Sequence, residues 1–161
     1  MPRPSFEFGG ETVKPGSRAS ISLALPNLST YTPMAMPVHI VHGRKDGPVL
    51  FISAAVHGDE INGVEIIRRL LKSASLKSLR GTLIAVPIVN VYGFLTHSRY
   101  LPDRRDLNRS FPGSEHGSLT ARLAHTFTEE ILSRAQFGID LHTGGLHRFN
   151  HPHIRANLDD P

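Results

Sequence analysis

Two apolar runs that flank one amphipathic segment constrain the fold of this chain more than any other feature. The runs "PVLFISAAV" at 48–56 and "GTLIAVPIV" at 81–89 have the length and the β-branched content of buried strands. Strand, helix and strand joined by short connections form a βαβ unit, which predicts two parallel strands with a right-handed crossover. The helix is predicted over 61–71, where apolar residues share one face: Ile61, Val64, Ile67 and Leu71.

Shorter patterns extend this unit on both sides. "SRASISLALP" at 17–26 alternates like an edge strand, and "PVHIVHG" at 37–43 is predicted to form a hairpin with the strand at 48–56. Ser118 is placed to cap a second helix, and "FGIDLH" at 137–142 alternates as a further strand. Together these elements predict a three-layer α/β fold, with a mixed central sheet and flanking helices.

Composition limits the classes of function. The chain has no cysteine, so any metal must be held by His, Asp or Glu. No apolar run reaches the roughly 18 residues of a membrane span, and "MPRPSFEFGG" lacks the apolar core of a signal peptide, so a cytoplasmic protein is expected. The net charge of +4 comes without a lysine- or arginine-rich block, which argues against nucleic acid and membranes as partners. It reflects either ordinary surface charge or attraction of a small anionic substrate.

Polar residues stand at the predicted carboxyl ends of two strands. His57 and Glu60 follow one strand on the tight turn "HGDE", and Asp140 and His142 close another. In open α/β sheets, sites form beyond this edge. Imidazole nitrogen and carboxylate oxygen suit zinc, and a catalytic zinc takes three protein ligands. We therefore predict that His57, Glu60 and His142 converge on one ion, with Asp140 positioning a ligand from the same side of its strand.

The spacing of His57 and Glu60 also has an explanation without a metal. Ten histidines in 161 residues make such a pair common by chance. His57 is then a polar residue at the end of a strand, and Glu60 is a carboxylate favoured by the dipole of the first helical turn. The metal interpretation depends on the position after a buried strand and on the second polar strand end at 140–142.

The segment 90–113 has no clear period and is predicted to be a long structured loop, a kind of segment that is usually functional in compact domains. It contains Arg99, Asn108 and Arg109. Arginine offers a planar fork that matches carboxylates, and asparagine adds a neutral donor. A local role, solvation or holding the turn, is predicted for the other charged residues considered in this loop: Arg104, Arg105 and Asp106.

Four motifs, taken in order along the chain, resemble the succinylglutamate desuccinylase/aspartoacylase family of zinc carboxypeptidase-like amidohydrolases. They are "HGDE", "NVYGFLTHSRY", "DLNRSFPG" and "DLHTG", and the resemblance runs from about residue 38 onward. It implies a zinc carboxypeptidase-like fold. On this basis residues 1–35 are expected to form an N-terminal extension with an edge strand, and 36–161 the N-terminal part of the catalytic domain.

The resemblance also implies an activity, hydrolysis of an N-acyl amino acid or a related amide, with Zn²⁺ as cofactor and zinc-activated water as the attacking group. Arg99 would polarise the scissile carbonyl and stabilise the oxyanion. The remaining roles that it implies are zinc binding by His57, Glu60 and His142, and binding of the substrate carboxylate by Asn108 and Arg109.

One departure from the family concerns the general base. Members of the family are longer, and their general-base glutamate lies well downstream of the third zinc ligand. Here 19 residues follow His142 and none is Glu. We therefore expect this chain to correspond to the N-terminal part of such an enzyme, to bind zinc and to show little or no turnover alone. An unpaired sheet edge would follow, from which we expect a homo-oligomer.

Two alternatives to a zinc amidohydrolase remain open at this stage. One is a metal-binding or regulatory module without hydrolytic function, and the other is a structural α/β domain with incidental His and Glu residues. A polar loop is preferred over a second metal site for the histidines near the end of the chain, although Arg148 is a candidate for contact with substrate. The residues concerned are His147, Arg148, His151 and His153.

Overall fold

The computed structural model describes residues 3–28, 30–146 and 148–157. Its main element is a five-stranded mixed sheet, preceded by a small antiparallel pair, and three α-helices pack around it. The strands are β1 (Phe6–Phe8), β2 (Glu11–Val13), β3 (Ser17–Leu25), β4 (Met34–His42), β5 (Lys45–Ala54), β6 (Arg80–Val86) and β7 (Phe137–Leu141), and the helices are α1 (Asn62–Lys72), α2 (Val91–Leu95) and α3 (Leu119–Glu130).

The sheet has the order β3-β4-β6-β5-β7. Strands β5, β6 and β7 are parallel, whereas β3 and β4 are antiparallel to their neighbours. The predicted βαβ unit is formed by β5, α1 and β6, with Val49 opposite Thr82 and Ser53 opposite Val86. A mixed sheet with flanking helices, as predicted, is therefore confirmed.

The predicted hairpin between the fourth and fifth strands is wrong. Strand β4 pairs with β3 instead, and β6 lies between β4 and β5. The chain between β4 and β5 passes across the start of β6, where the Gly43 N–H donates to the Gly81 carbonyl over 2.9 Å. A Cβ at Gly43 would lie 2.2 Å from the Leu79 oxygen, so only glycine fits this crossing.

Alternate residues of the central strands divide the core between two layers. Ile84 and Val86 of β6 face a large cluster that includes Leu123 and Phe127 of α3. Leu83 and Ala85 face a smaller cluster that includes Ile67 of α1. Because successive side chains of β6 point to opposite faces, both faces of the sheet are covered. The result is three layers, with the sheet between α1 on one side and α3 on the other.

The helices follow the predicted capping and periodicity, with one exception. The Ala121 N–H donates to the Ser118 side chain over 3.1 Å, which confirms the predicted cap of α3. Ile67 is fully buried, but Ile61, which we expected on the same buried face, is 43% exposed. It precedes α1, and the close contact with the sheet is made instead by Gly63, where a Cβ would lie 2.7 Å from Cβ of Ala54.

The loop predicted at 90–113 has more regular structure than its sequence suggested. It contains α2 and a short 3₁₀ turn at Leu107–Arg109. Leu101 and Leu107 are buried and attach the loop to the larger core cluster. Since the loop is anchored in this way, the polar side chains on it have defined positions. The division of the chain at residue 35 stays a prediction. Among the described residues, no helix is long and apolar enough to cross a membrane.

Candidate metal centre

The turn that carries His57 and Glu60 begins where β5 ends at Ala54. Ala55 has a φ of 51°, an unusual value for a residue with a Cβ, and turns the chain out of the strand. The carbonyl of Ala54 accepts the Val89 N–H over 3.0 Å, so the residues after β6 hold the turn in place. The Glu60 N–H then donates to the His57 carbonyl over 3.1 Å, which closes the turn and directs both side chains to one side.

Gly58, between the two candidate ligands, allows this turn to pack against helix α2. A Cβ at Gly58 would lie 2.1 Å from the carbonyl carbon of Gly93, and the Gly58 N–H donates to the Ser98 carbonyl over 3.0 Å. Asn90 caps the helix by accepting the Gly93 N–H over 2.8 Å. The glycine of "HGDE" is therefore required for the close approach of two backbones.

The Glu60 carboxylate lies at the centre of the site. Its Oε1 is 2.8 Å from Nδ1 of His57, and its Oε2 is 2.9 Å from Nδ1 of His142. The Thr143 N–H donates to the same Oε2 over 2.9 Å. His57 and Glu60 are buried, at 2% and 3% exposure. The structure thus brings together His57, Glu60 and His142, which lie far apart in the sequence, with one ligand atom from each within 4.8 Å of the others.

An aspartate holds the far nitrogen of each imidazole. Nε2 of His57 is 3.0 Å from Oδ1 of Asp106, and Nε2 of His142 is 2.6 Å from Oδ2 of Asp140. Asp140 is in turn held by the Ser53 hydroxyl, which donates over 2.7 Å. Both Nδ1 atoms therefore face Glu60. Two imidazoles and a carboxylate, with carboxylates behind the imidazoles, fit the ligand set and the outer partners of a zinc ion.

The contacts within the site shift the pKa values of its members. Burial alone would raise the pKa of the Glu60 carboxyl, but hydrogen bonds with His142, His57 and the Thr143 N–H outweigh it and hold that pKa well below its usual range. Hydrogen bonds to Asp140 and Glu60 raise the pKa of His142 to about 10. These shifts show that the Glu60 carboxylate stays ionised and that its surroundings favour positive charge between the carboxylates, which protonated His142 carries here.

Asp106 has a wider role than the sequence indicated. It does hold its own turn, as predicted, because its Oδ1 accepts the Asn108 N–H over 2.9 Å. It also contacts His57, and its Oδ2 accepts Nη2 of Arg99 over 3.0 Å. Burial would raise the pKa of Asp106, but these hydrogen bonds lower it. No local pattern could reveal these contacts, since Asp106 and His57 are 49 residues apart.

Of the other predicted site residues, one contacts the Glu60 cluster and two lie on an exposed turn next to it. Arg99 reaches the cluster, with Nη1 3.3 Å from Oε1 of Glu60 and a side chain that is 24% exposed. Asn108 and Arg109 lie on the 3₁₀ turn that Asp106 caps, with exposed side chains. Within the described part of the chain, those two side chains make no hydrogen bond to the three candidate ligands. Arg104 and Arg105 are exposed, in agreement with solvation.

The segment after His142 is tied to the "HGDE" turn by Asp59, whose Oδ2 accepts the Leu146 N–H over 3.0 Å. Arg148 folds back and donates to the Gly145 carbonyl over 3.2 Å, and its contact with substrate stays a prediction. His147 lies outside the described residues. His151 and His153 are exposed, and neither belongs to the His57, Glu60 and His142 group, which is the one group of potential metal ligands found in the described ranges.

Comparison with known proteins identifies the relatives of this chain. A family model described as the succinylglutamate desuccinylase/aspartoacylase catalytic domain matches residues 46–161. A curated relative, the N-alpha-acetyl-L-2,4-diaminobutyric acid deacetylase of Halomonas elongata, is 33% identical over 118 residues, which are 73% of this chain and 34% of that protein.

Solved structures agree on the fold. A succinylglutamate desuccinylase/aspartoacylase from Rhodobacter sphaeroides superposes with a TM-score of 0.73 and 30% identity, over 80% of this chain and 40% of the other. The product-bound ectoine utilization protein EutE from Ruegeria pomeroyi gives a TM-score of 0.72 and 30% identity, over 89% and 43%. The chain thus spans about a third of the length of the curated relative it matches and about 40% of these solved chains.

Proposed function

Because the chain belongs to the succinylglutamate desuccinylase/aspartoacylase family, we propose that it carries the zinc-binding and substrate-binding residues of a hydrolase that deacylates N-acyl amino acids or related amides. The observation that carries this proposal is the convergence of buried His57 and Glu60 with the exposed His142, with an aspartate behind each imidazole. The name of the Halomonas relative, a deacetylase of an N-acetylated amino acid, supports the substrate class.

We assign zinc binding to Nδ1 of His57, Nδ1 of His142 and the Glu60 carboxylate. When bound, zinc supplies a Lewis acid that polarises a carbonyl oxygen and makes water nucleophilic near neutral pH. Asp106 and Asp140 are placed to accept hydrogen bonds from the Nε2–H groups. With zinc bound, the metal would replace the Nδ1 proton of each imidazole, and these two aspartates would keep the rings in position.

Arg99 is assigned the stabilisation of negative charge on the substrate oxygen. Its guanidinium lies beside Glu60 and is held by Asp106, so it is oriented before a substrate arrives. A fixed cation of this kind lowers the energy of a developing oxyanion without reorganisation. Its partial burial strengthens the effect, because less water screens the charge.

Asn108 and Arg109 are assigned the carboxylate of the substrate. Both are exposed on the turn that begins at Asp106, and Asp106 touches both His57 and Arg99. The turn is therefore anchored to the site, while its two side chains make no hydrogen bond or ion pair with the candidate ligands among the described residues. A planar guanidinium beside an amide suits a carboxylate group.

The remaining parts of the proposal concern location and partners. A small anionic substrate is the proposed partner, in a cytoplasmic protein without nucleic acid or membrane as a ligand. The chain is also proposed to form a homo-oligomer, since the edge strand β7 exposes Phe137 and Ile139, at 60% and 48%.

Zinc binding by the purified full chain tests the proposal. After dialysis against a chelator, calorimetric titration should give one zinc per chain. The variants His57→Ala and His142→Ala should lose retention of the metal, since each removes one of three ligands. His116→Ala is the matched control, because His116 is exposed and outside the site, and it should bind zinc like the parent chain.

The same titrations separate the alternatives. Absence of zinc binding, or equal loss in His116→Ala, would contradict the assigned site and leave a structural α/β domain. Zinc binding without any affinity for an N-acetyl amino acid would leave a metal-binding module and refute the assigned substrate class. The expected result is that the chain binds zinc and that it binds an N-acetyl amino acid only when zinc is bound.

A further inference from the structure

The end of the sheet opposite the candidate metal centre contains a cavity of about 330 Å³. It lies where β3, β5 and β6 begin and β4 ends, whereas His57 follows the other end of β5. Val41 and Leu76 form an apolar part of its wall. Its volume is at the lower end of the range for small-molecule sites. The remaining lining residues used below are Gly16, Arg18, Arg44 and Lys77.

The positive charge of the chain is concentrated at this end. The segments 14–18, 42–48 and 72–80, which meet here, contain seven basic residues and a single aspartate, a net charge of +6. The whole chain is only +4, so the remainder, which includes the metal centre, is net negative. Most of the net positive charge of the chain therefore lies at the end of the sheet away from the metal centre. The basic residues are Lys14, Arg18, Arg44, Lys45, Lys72, Lys77 and Arg80.

The cations that line the cavity are not neutralised by carboxylates. The cavity lining contains Arg18, Arg44 and Lys77 and no Asp or Glu. Within the described ranges none of the three forms an ion pair, and the single aspartate nearby, Asp46, is paired with Arg3 over 3.8 Å. Three cations of like sign that line one cavity repel each other, and a bound anion would relieve this repulsion.

The contacts that the two arginines make leave their charge uncancelled. Arg18 donates from Nη1 to the Leu71 carbonyl near the end of α1 over 2.6 Å. Arg44 lies against Gly16, so closely that a Cβ there would be 2.6 Å from its Nε. Gly16 also has a φ of 78°, which favours glycine. The hydrogen bond to Leu71 orients the Arg18 guanidinium before a ligand binds, which reduces the entropy lost on binding.

We propose that this cavity binds a small phosphate monoester, with Arg18, Arg44 and Lys77 around the phosphate and Val41 and Leu76 against the organic part. A phosphate monoester is nearly dianionic at neutral pH and has oxygens that accept paired donors from arginine. The apolar wall and the volume provide for more than an inorganic ion. The site is separate from the metal centre, and it does not depend on the proposed hydrolase function.

Binding measured on the full, chelator-treated chain tests this proposal. Glycerol 3-phosphate and inorganic phosphate are the probes, added at constant ionic strength to the isotope-labelled protein and followed by amide NMR shifts. Saturable shifts are expected for Gly16, Gly43 and Leu76, whereas Gly58 and Thr143 at the metal centre should not move. Tighter binding of the ester than of inorganic phosphate is expected, since only the ester reaches the apolar wall.

Variants decide whether the cavity is the site. Loss of one charged hydrogen-bonding group should weaken the affinity about tenfold, so Arg44→Ala and Lys77→Ala should each do so. Both residues are exposed, so both variants should fold. Arg155→Ala removes the same charge from the exposed tail and should bind like the parent chain.

Three outcomes would overturn the proposal. They are shifts confined to the region of Arg99 and Arg109, equal weakening in Arg155→Ala, and the absence of saturation at millimolar ester. Equal affinity for inorganic phosphate and for the ester would refute the organic part of the ligand. None of these outcomes bears on zinc binding, so the two proposals fail separately.

Discussion

At the scale of single residues, Glu60 organises the candidate site. Its two oxygens face the two imidazoles, and the Thr143 backbone adds a donor, so one carboxylate connects the turn after β5 with the end of β7. Burial would disfavour its charge, but three hydrogen bonds keep it ionised. A bound cation would satisfy the same carboxylate with a full charge, which is why the proposed function assigns zinc here.

Arg109 provides a test of substrate binding at the residue scale. Arg109→Ala should leave zinc binding unchanged, because the side chain makes no hydrogen bond to the candidate ligands in the described ranges. It should weaken binding of an N-acetyl amino acid about tenfold or more, as expected for loss of a charged hydrogen-bonding partner. Calorimetry with zinc and with the amino acid measures the two separately.

Arg105→Ala is the control for that variant, since Arg105 is exposed in the same loop. It should affect neither titration. The assigned role of Arg109 would be wrong if Arg109→Ala weakened the binding of zinc and of the N-acetyl amino acid equally. It would also be wrong if Arg109→Ala weakened the binding of the corresponding amide, which lacks the carboxylate, as much as the binding of the amino acid itself.

At the scale of elements, Asp103 joins the loop at 90–113 to helix α3. Its Oδ2 accepts the Thr120 N–H over 2.9 Å at the first turn of the helix, next to the Ser118 cap. Burial would raise the pKa of Asp103, but hydrogen bonds from the side chain and backbone of Thr120 outweigh it and lower that pKa. The negative charge also suits the positive end of the helix dipole.

This lowered pKa predicts a pH-dependent contribution to stability. A carboxyl whose pKa is lower in the folded state stabilises that state above its unfolded pKa of about 3.9, and the contribution disappears as the pH falls through the folded value. Asp103→Asn should therefore cost about 1–2 kcal/mol of unfolding free energy at pH 7. The difference from the parent chain should shrink below about pH 4.

Urea unfolding at a series of pH values measures this difference. Asp46→Asn is the control, because Asp46 is 94% exposed and only distantly paired, and its effect should be small at every pH. A cost for Asp103→Asn that stayed constant from pH 7 to pH 3 would show that the charge of Asp103 is not what stabilises α3.

At the scale of the whole molecule, the edge of the sheet formed by β7 exposes apolar side chains. Strand β7 pairs with β5 on one side, and its residues Phe137 and Ile139 are exposed. Their partners on β5 are Leu50, which packs against the core cluster beneath α1, and Ile52, which belongs to that cluster. An edge strand with exposed apolar side chains tends to pair with another chain. The proposed homo-oligomer would form there.

Sedimentation velocity tests this prediction. The full chain should associate as its concentration rises, and Ile139→Lys should shift it toward monomer, since a charge at an edge opposes pairing. Ile154→Lys makes the same substitution at a residue that is 94% exposed in the tail, and it should associate like the parent chain. A parent chain that stays monomeric at high concentration would refute the prediction.

The sequence predicted those features that depend on neighbours along the chain. Hydrophobic periodicity revealed β5, α1 and β6, and the cap at Ser118 marked the start of α3, because helices and buried strands have their own repeats and end signals. Polar residues at strand ends indicated His57, Glu60 and His142, since the carboxyl ends of parallel strands meet at one edge. The resemblance to a family supplied the assigned roles.

Only the tertiary structure decided which distant residues meet. The insertion of β6 between β4 and β5, the contact of Asp106 with His57 and Arg99, and the concentration of basic residues around one cavity all join segments far apart in the chain. Local periodicity carries no information about such pairings, because strand order and loop packing are set by how whole elements bury their apolar faces together.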